Sequence, residues 1–314
     1  MVMWLSAALA AIGLAVSSTV RSETDHVSTS ADGLRAWYLA TGSVERAIQY
    51  MTWGGSEGPD RLWNRRKSRF NFAYASGNVV VEVIAESGKL NVNTSSQTDL
   101  LKVVSAVTGN AEQASQIAGA LGRPAAVAPS PTFQPRAASF QEIEDVLTVP
   151  GVTPEVFYGN YVADQNGRLY ARGGLQDCLS VWGSAGGPFD INSASPAMLE
   201  AFGVSQQAAL QLVERRKQQP IKSMTEVSAA LGANAGRFRV GGNSIYTIRA
   251  TARLRLPNGG PSEVVRTAAA VVKVLDPLLY APNTVHVLRF YDDAWSQDAV
   301  APPGPGSVPG VPQL

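Results

Sequence analysis

The residue types that carry out enzymatic or metal chemistry are few in this chain of 314 residues. The sequence has no closely spaced histidine pair and no phosphate-binding glycine loop. His26, His286 and Cys178 stand too far apart in the chain to form a zinc site by ligand spacing. Asp292 and Asp293 form an acidic pair, but adjacent carboxylates in a terminal loop are usually solvated. We therefore expect no catalytic and no cofactor-binding residue.

Basic residues gather at two places without giving the chain a basic character. One group, in residues 54–69, comprises Arg61, Arg65, Arg66, Lys67 and Arg69. We predict a solvated polar loop there, with a membrane-surface or nucleic-acid patch as the alternative. The other group is Arg215-Arg216-Lys217, whose adjacent side chains point in three directions on a helix. The net charge of +1 gives no global attraction for nucleic acid or anionic lipid.

The sequence of residues 1–53 predicts one long helix whose first half lies in lipid and whose second half packs on a folded domain. Residues 1–20 carry no charge and are apolar on every face, and about 20 such residues span a hydrocarbon core of roughly 30 Å. Residues 21–53 show the amphipathic period of a helix that lies on a core. The expected contact stripe is Val27, Ala31, Leu34, Tyr38, Thr41, Val44, Ile48 and Met51.

Two simpler interpretations of this stretch remain open. One is a cleaved secretory signal peptide, although no Lys or Arg precedes the apolar run and the helical pattern continues past any cleavage site. The other is a plain single-pass anchor.

The chain has a hydrophobic content of 45%, which is ample for a core. Its lone Cys178 means that this core is stable without an internal disulfide.

An internal repeat follows the first predicted strand, Asn78–Ala85. Val92-Asn93-Thr94-Ser95-Ser96 with Leu100 is echoed by Ile191-Asn192-Ser193-Ala194-Ser195 with Leu199. The polar side chains can accept the free N–H groups of the helix that follows, with Leu100-Leu101 and Met198-Leu199 on its buried face. Each copy continues into a second helix, marked by Ala114, Ile117, Ala118 and Leu121 or by Ala208, Leu212, Val213 and Arg216. A closing echo sets Phe140, Ile143, Asp145 and Val146 beside Ile221, Met224, Glu226 and Val227, after a Pro-rich insertion from Arg123 to Arg136.

The order of these elements resembles helix-hairpin-helix modules, some of which hold DNA through backbone N–H groups at a phosphate. That chemistry needs a Gly-apolar-Gly turn, because a missing Cβ lets the backbone approach closely. The turns here are Gly151-Val152-Thr153 and Gly203-Val204-Ser205, and both lack the second glycine. We therefore predict packing modules, with DNA binding as the alternative.

Alternation replaces the helical period after Gly241-Gly242. Residues 244–256 place Tyr246, Ile248, Ala250, Ala252 and Leu254 on one face, and Pro257-Asn258-Gly259-Gly260 is a hairpin turn. Val264–Leu275 and Thr284–Tyr291 are the partner strands. With the first strand they form an antiparallel sheet whose apolar face only the amphipathic half-helix can cover. Residues 301–314, rich in Pro and Gly, predict disorder.

Taken together, these elements resemble the K-type minor pseudopilins of type II secretion systems, the GspK family. The resemblance covers roughly residues 2–292 and rests on Trp37–Ile48, Ala85–Thr94, Phe189–Leu199 and the strands around Pro257. It implies an α+β fold in which a long, pilin-like N-terminal helix packs on a small antiparallel sheet. A large all-α domain is inserted in this sheet, and it consists of two units that are SAM-like or helix-hairpin-helix-like. The segments are 1–20 transmembrane, 21–53 amphipathic helix, 54–88 loop and first strand, 89–187 and 188–243 helical units, 244–292 C-terminal strands and 293–314 tail.

The resemblance also implies a role and partners. Family members are inner-membrane proteins with a periplasmic domain that sit at the pseudopilus tip with the I- and J-type minor subunits, start or cap assembly, and have no catalytic activity. The prepilin peptidase is an expected partner if the true start lies upstream, because the basic leader is missing here. The absence of an early glutamate in the apolar run fits the K-type subunit. Small residues such as Gly13 would let this helix approach others closely.

Calcium is the one cofactor that the resemblance raises. Family members bind it through acidic residues of the insertion, and the candidates by composition are Asp164, Asp177, Glu142, Glu144 and Asp145. No spacing such as Asp-x-Asp-x-Asp-Gly supports them, so the identity of the metal ligands remains open.

The competing interpretation of the whole chain is a membrane-anchored periplasmic DNA receptor of the competence type. Such a receptor explains the repeat but needs no residues 244–291.

Overall fold

The computed structural model describes residues 2–52, 69–122, 139–163, 169–242, 244–256, 258–275, 285–294 and 296. The helices are α1 Val2–Thr52, α2 Gln97–Thr108, α3 Ala111–Leu121, α4 Pro154–Tyr158, α5 Pro196–Ala201, α6 Gln206–Gln218 and α7 Ser228–Leu231. The strands are β1 Arg69–Tyr74, β2 Gly77–Ala85, β3 Leu90–Asn91, β4 Gly159–Ala163, β5 Leu169–Gly173, β6 Leu179–Ser180, β7 Phe189–Asp190, β8 Phe238–Arg239, β9 Ile245–Arg255, β10 Pro261–Val274 and β11 Val285–Tyr291. The predicted loop 54–68, the Pro-rich insertion 123–136, Asp164 and the tail beyond residue 296 lie outside the described residues.

The first helix is the long element that the sequence predicts. α1 runs without interruption from Val2 to Thr52, and by length and composition it is able to cross a membrane. All side chains described between Val2 and Ser30 are exposed, so no other part of the described chain covers them. The second half lies on the sheet. The helix therefore has one half for an apolar solvent and one half for the domain.

The face that α1 turns to the sheet differs from the predicted stripe. Val44 and Met51 are buried as expected, but Val27, Leu34 and Tyr38 are 67%, 59% and 67% exposed. The buried face consists of Ala36, Ala40, Ser43, Val44, Ala47 and Met51. It meets small residues of the sheet, among them Ala250, Ala252, Ala268 and Ala270. Small side chains on both surfaces let the helix axis approach the strands closely, so the bulkier residues remain on the opposite side.

The sheet has five strands in the order β1-β2-β9-β10-β11, and all neighbours are antiparallel. β2, β9, β10 and β11 correspond to the four predicted strands, and the apolar face of β9 is the predicted one. β1 was not predicted, because its start had been assigned to the polar loop. Its Phe70 and Phe72 are buried against α1, where the guanidinium of Arg46 lies 4.5 Å from the Phe72 ring centre.

The helical insertion leaves the sheet after β2 and returns before β9. It contains α2 to α7, the antiparallel pair β4–β5 and two short parallel pairs, β3–β6 and β7–β8. A hydrophobic cluster that contains residues of both predicted helical units forms its core, with Leu100, Ile117, Phe189 and Met198 among its fully buried members. Leu101, predicted to be buried, is 38% exposed. The α+β class and the position of the insertion are those that the sequence predicts, whereas the residue limits of the two units stay predictions. The expectation of an all-α insertion is wrong, because the pairs β3–β6, β4–β5 and β7–β8 lie in it.

Candidate functional site

Each copy of the internal repeat is closed by one asparagine side chain. The Asn93 amide donates to Phe140 O at 2.9 Å and accepts from Phe140 N at 2.8 Å. The Asn192 amide makes the same two bonds to Ile221, at 3.0 and 2.9 Å. The first pair is largely exposed and the second is buried. The two copies therefore share a fold, because the same side chain fixes the returning segment in each.

The caps of the helices repeat as well. Ser96 and Ser195 accept from the backbone N–H three residues later, at the N-termini of α2 and α5. The closing turns are held by carboxylates: Asp145 accepts from the backbone N–H groups of residues 141 and 142, and Glu226 from those of residues 222 and 223. These polar residues of the repeat are therefore engaged in the fold.

Two charged groups at the second copy are withdrawn from solvent: Asp190 is buried and Arg216 is half-buried. Arg216 donates to Ile191 O at 2.7 Å, and burial lowers its pKa to about 10. Burial likewise raises the pKa of Asp190, against the effect of its hydrogen bonds from Ser193, Asn192 and Gly241. These groups are structural, because their hydrogen bonds all end within the unit.

The turns do not correspond to each other as the sequence suggested. Gly203, with φ +91°, joins α5 to α6, but its counterpart in the first copy is Gly109, with φ +67°, between α2 and α3. Gly151 instead follows a 3-10 turn, Ile143–Thr148, and leads into α4. The shared Gly-Val-Thr/Ser pattern arose because both turns need a left-handed glycine and then a helix-capping hydroxyl.

At the hairpin turns, side chains of the protein already accept hydrogen bonds from the backbone N–H groups to which a DNA phosphate would bind. Asn110 Oδ1 accepts from the backbone of Glu112 and Gln113, and Ser205 accepts from Ala208. A phosphate at these turns would have to displace a side-chain cap. No observation on the described residues favours the DNA-receptor alternative.

The four candidate calcium ligands that the structure describes form no common site. Asp145 caps a turn, Glu142 pairs with Arg289, Glu144 is exposed, and Asp177 accepts from Gly174 N at 3.3 Å. Asp164 lies outside the described residues. Among the residues that the structure describes, no three His, Cys, Asp or Glu side chains form a group that could hold a metal ion. The described carboxylates therefore do not fit a calcium site, and calcium binding stays a prediction from the resemblance.

The other chemistry-bearing residues are equally dispersed. His26 and His286 are exposed, and Asp292 and Asp293 are exposed as predicted. Cys178 is buried against Ser195, 3.0 Å away, and burial raises its thiol pKa to about 12. Residues 54–58 match the nucleophile pattern Gly-x-Ser-x-Gly, although we expect no catalytic residue. They lie outside the described residues, between a helix and a strand, whereas the nucleophile motif needs a strand first and a helix after it.

The surface that remains for interaction is the outer face of α1. We call it the outer seam: Gly13, Val20, Val27, Leu34 and Tyr38. The first four are seven residues apart and Tyr38 follows four later, which is the spacing of a helix-packing seam. The four apolar side chains are 58–67% exposed, and a Cβ on Gly13 would meet nothing within 4 Å. By helix geometry this face lies opposite the one on the sheet, so it is free to receive another helix.

Comparisons with known proteins give a structural similarity. No family model matches the chain. No curated protein matches it either. The chain is similar to one chain of the crystal structure of the GspK-GspI-GspJ complex from the enterotoxigenic Escherichia coli type 2 secretion system, with a TM-score of 0.46 and 14% identity. The alignment covers 88% of this chain and 100% of that chain. That complex carries the name of the family that the sequence resembles.

Proposed function

We propose that this protein is a K-type minor pseudopilin of a type II secretion system. Its function is mechanical. The apolar half of α1 anchors it in the inner membrane, and the sheet and insertion stand in the periplasm. With the I- and J-type minor pseudopilins it forms the tip of the pseudopilus, where it starts or caps assembly. It carries out no catalysis of its own.

The observation that carries this proposal is the two-sided second half of α1. One side holds the domain through Ala36, Ala40, Val44 and Ala47, all fully buried. The opposite side presents the outer seam, which runs from the membrane half into the domain half without interruption. A plain anchor needs no apolar residues such as Leu34 beyond the membrane segment. A subunit that packs beside other helices needs them in both halves.

The experiment changes the outer seam without touching the domain. Leu34→Glu places a charge in the seam, and Gly13→Leu fills the place where a second helix would approach most closely. The matched control is Ser28→Glu, an exposed position on a different side of α1. We expect recovery of the I- and J-type partners from detergent-solubilised membranes to fall at least tenfold for both seam variants and to stay unchanged for the control.

The circular dichroism spectrum of all three variants should match that of the unmodified protein, because none of the changed positions contacts the sheet. Equal recovery of the partners by Leu34→Glu and Ser28→Glu would contradict the assignment of the seam.

A further inference from the structure

A cleft separates the second face of the sheet from the insertion. It has a volume of about 570 Å³, within the range of pockets that hold a drug-sized molecule or a short peptide. Ala269 and Val271 of β10 form part of one wall, and Leu179, Val181 and Trp182 of the insertion form part of the other. Trp182 is 43% exposed, so its ring is accessible to a ligand in the cleft.

Most charges in the cleft are neutralised by neighbours. Glu86 pairs with Lys89 at 3.3 Å and accepts from Thr247 at 2.6 Å, while Arg249 pairs with Glu82 at 2.8 Å. Glu142 pairs with Arg289, as described above. Of these contacts, Glu86–Thr247 and Glu142–Arg289 join the insertion to the sheet. They leave no net charge to attract a ligand.

Two carboxylates of the lining are not neutralised in this way. Glu144 and Asp293 form no ion pair with any residue that the structure describes. Arg266, a cation of the lining that forms no ion pair with the described residues, extends to the other face of the sheet, where its Nη2 lies 3.2 Å from the position of a Cβ on Gly33. Burial raises the pKa of Tyr291 to about 12, and the charges of Glu144 and Glu142 add to this shift. The cleft is therefore complementary to a positive charge.

The lining also holds an unused hydrogen-bond donor. The side-chain Nε2 of Gln176 is buried and has no hydrogen-bond partner among the described residues. A buried donor without an acceptor costs about 1–3 kcal/mol. A carbonyl oxygen at this position would remove that cost, and neither a metal ion nor a simple amine supplies one.

We propose that the cleft binds an extended segment of a partner polypeptide that carries a lysine or arginine. The basic side chain lies between Glu144 and Asp293, a backbone carbonyl accepts from Gln176, and apolar neighbours contact Val271 and Trp182. A polypeptide offers these three features together. This site is separate from the outer seam, so the inference stands or falls independently of the pseudopilin role.

The test selects peptides on the full-length protein in detergent. A displayed library of random heptapeptides is panned, and the best binder is synthesised and titrated by fluorescence anisotropy. We expect enrichment of basic peptides with apolar neighbours, and a Kd that rises with salt. Glu144→Gln with Asp293→Asn should weaken binding at least tenfold. Glu112→Gln with Glu214→Gln, a matched loss of two exposed carboxylates outside the cleft, should change it less than twofold.

Three results would overturn the proposal. The first is a panning experiment that enriches no basic peptides, and the second is equal binding to the two double variants. The third is binding that appears only after removal of residues 297–314. These follow Ser296 at the wall of the cleft, so that result would assign the cleft to the chain's own C-terminal segment.

Discussion

Asn93 and Asn192 occupy the same position in two copies of one motif, but Asn93 lies at the surface and Asn192 in the protein interior. Each bonds twice to the backbone of a returning segment, Asn93 at the surface and Asn192 at 6% exposure. Water can replace a lost bond at the surface, whereas a buried backbone group left without a partner bears the full cost of desolvation. The same substitution should therefore have different effects in the two copies.

Asn192→Leu should lower the free energy of unfolding by about 2–4 kcal/mol, because it strands both the N–H and the C=O of Ile221. Asn93→Leu is the matched control and should cost less than about 1 kcal/mol. Urea unfolding followed by circular dichroism measures both. Equal losses would show that the buried bonds contribute no more than the exposed ones.

A second contrast concerns the residue that directly precedes each copy of the repeat, Asn91 in the first and Asp190 in the second. Burial raises the pKa of Asp190 above its value in the unfolded chain. Its contribution to stability is therefore complete below the unfolded pKa and is lost as the pH rises through the folded pKa. Asp190→Asn should remove this loss.

We expect Asp190→Asn to raise the free energy of unfolding at pH 7 by on the order of 1 kcal/mol and to have little effect at pH 4. An asparagine can keep the acceptor for Asn192 N and Gly241 N, as Asn91 does in the first copy for Asn93 N and Thr94 N. Unfolding titrations between these pH values provide the measurement. A variant that is less stable at pH 7 than the unmodified protein would disprove the sign.

At the scale of elements, the turn of the second helical pair depends on Gly203. Its φ of +91° is strained for any other residue, and a Cβ there would lie 2.5 Å from Asn234 Nδ2. Gly119, inside α3, has helical geometry and open space around its Cβ position. Gly203→Ala should lower the free energy of unfolding by about 1–2 kcal/mol, and Gly119→Ala should raise it by about 0.5–1 kcal/mol. Thermal unfolding of both variants gives the comparison, and a shift of the same sign for both would refute it.

The elements that were predictable are those whose periodicity comes from the element itself. α1 and the four predicted strands could be located because apolar runs and alternation follow from helix and strand geometry. The predicted contact face of α1 was wrong. Hydrophobicity favours burial of large apolar residues such as Leu34 and Tyr38, because they bury more apolar area, but the structure buries small residues such as Ala40 and Ala250 instead. β1 was missed because its alternating Phe70 and Phe72 directly follow a run of basic residues.

At the scale of the candidate site, the sequence could identify residues but not their relations. The repeat was visible in Asn93 and Asn192, yet the hydrogen bonds that give these residues their role depend on segments 29 to 47 positions away. The outer seam was hidden because Val27, Leu34 and Tyr38 had been assigned to the core. The cleft could not be anticipated, since β10 and β11 meet Glu144 and Gln176 only through the tertiary fold.

For the whole molecule, the structure separates two hydrophobic clusters. One joins α1 to the sheet and the other fills the insertion. Between them lie polar contacts, such as the bonds of Glu86 to Ser180 and Thr247. This arrangement puts a bulky body on a slender helical stem, as the proposed place at the tip requires, because a subunit of this shape leaves little room for another above it.

The most direct measurement of the central proposal is the mass of the assembly. The full-length protein in detergent is mixed with the I- and J-type minor pseudopilins of its own host, and size exclusion with light scattering gives the mass of each peak. We predict a single species that contains all three proteins in equal numbers. A protein that elutes alone while the I- and J-type subunits bind each other would contradict the pseudopilin role.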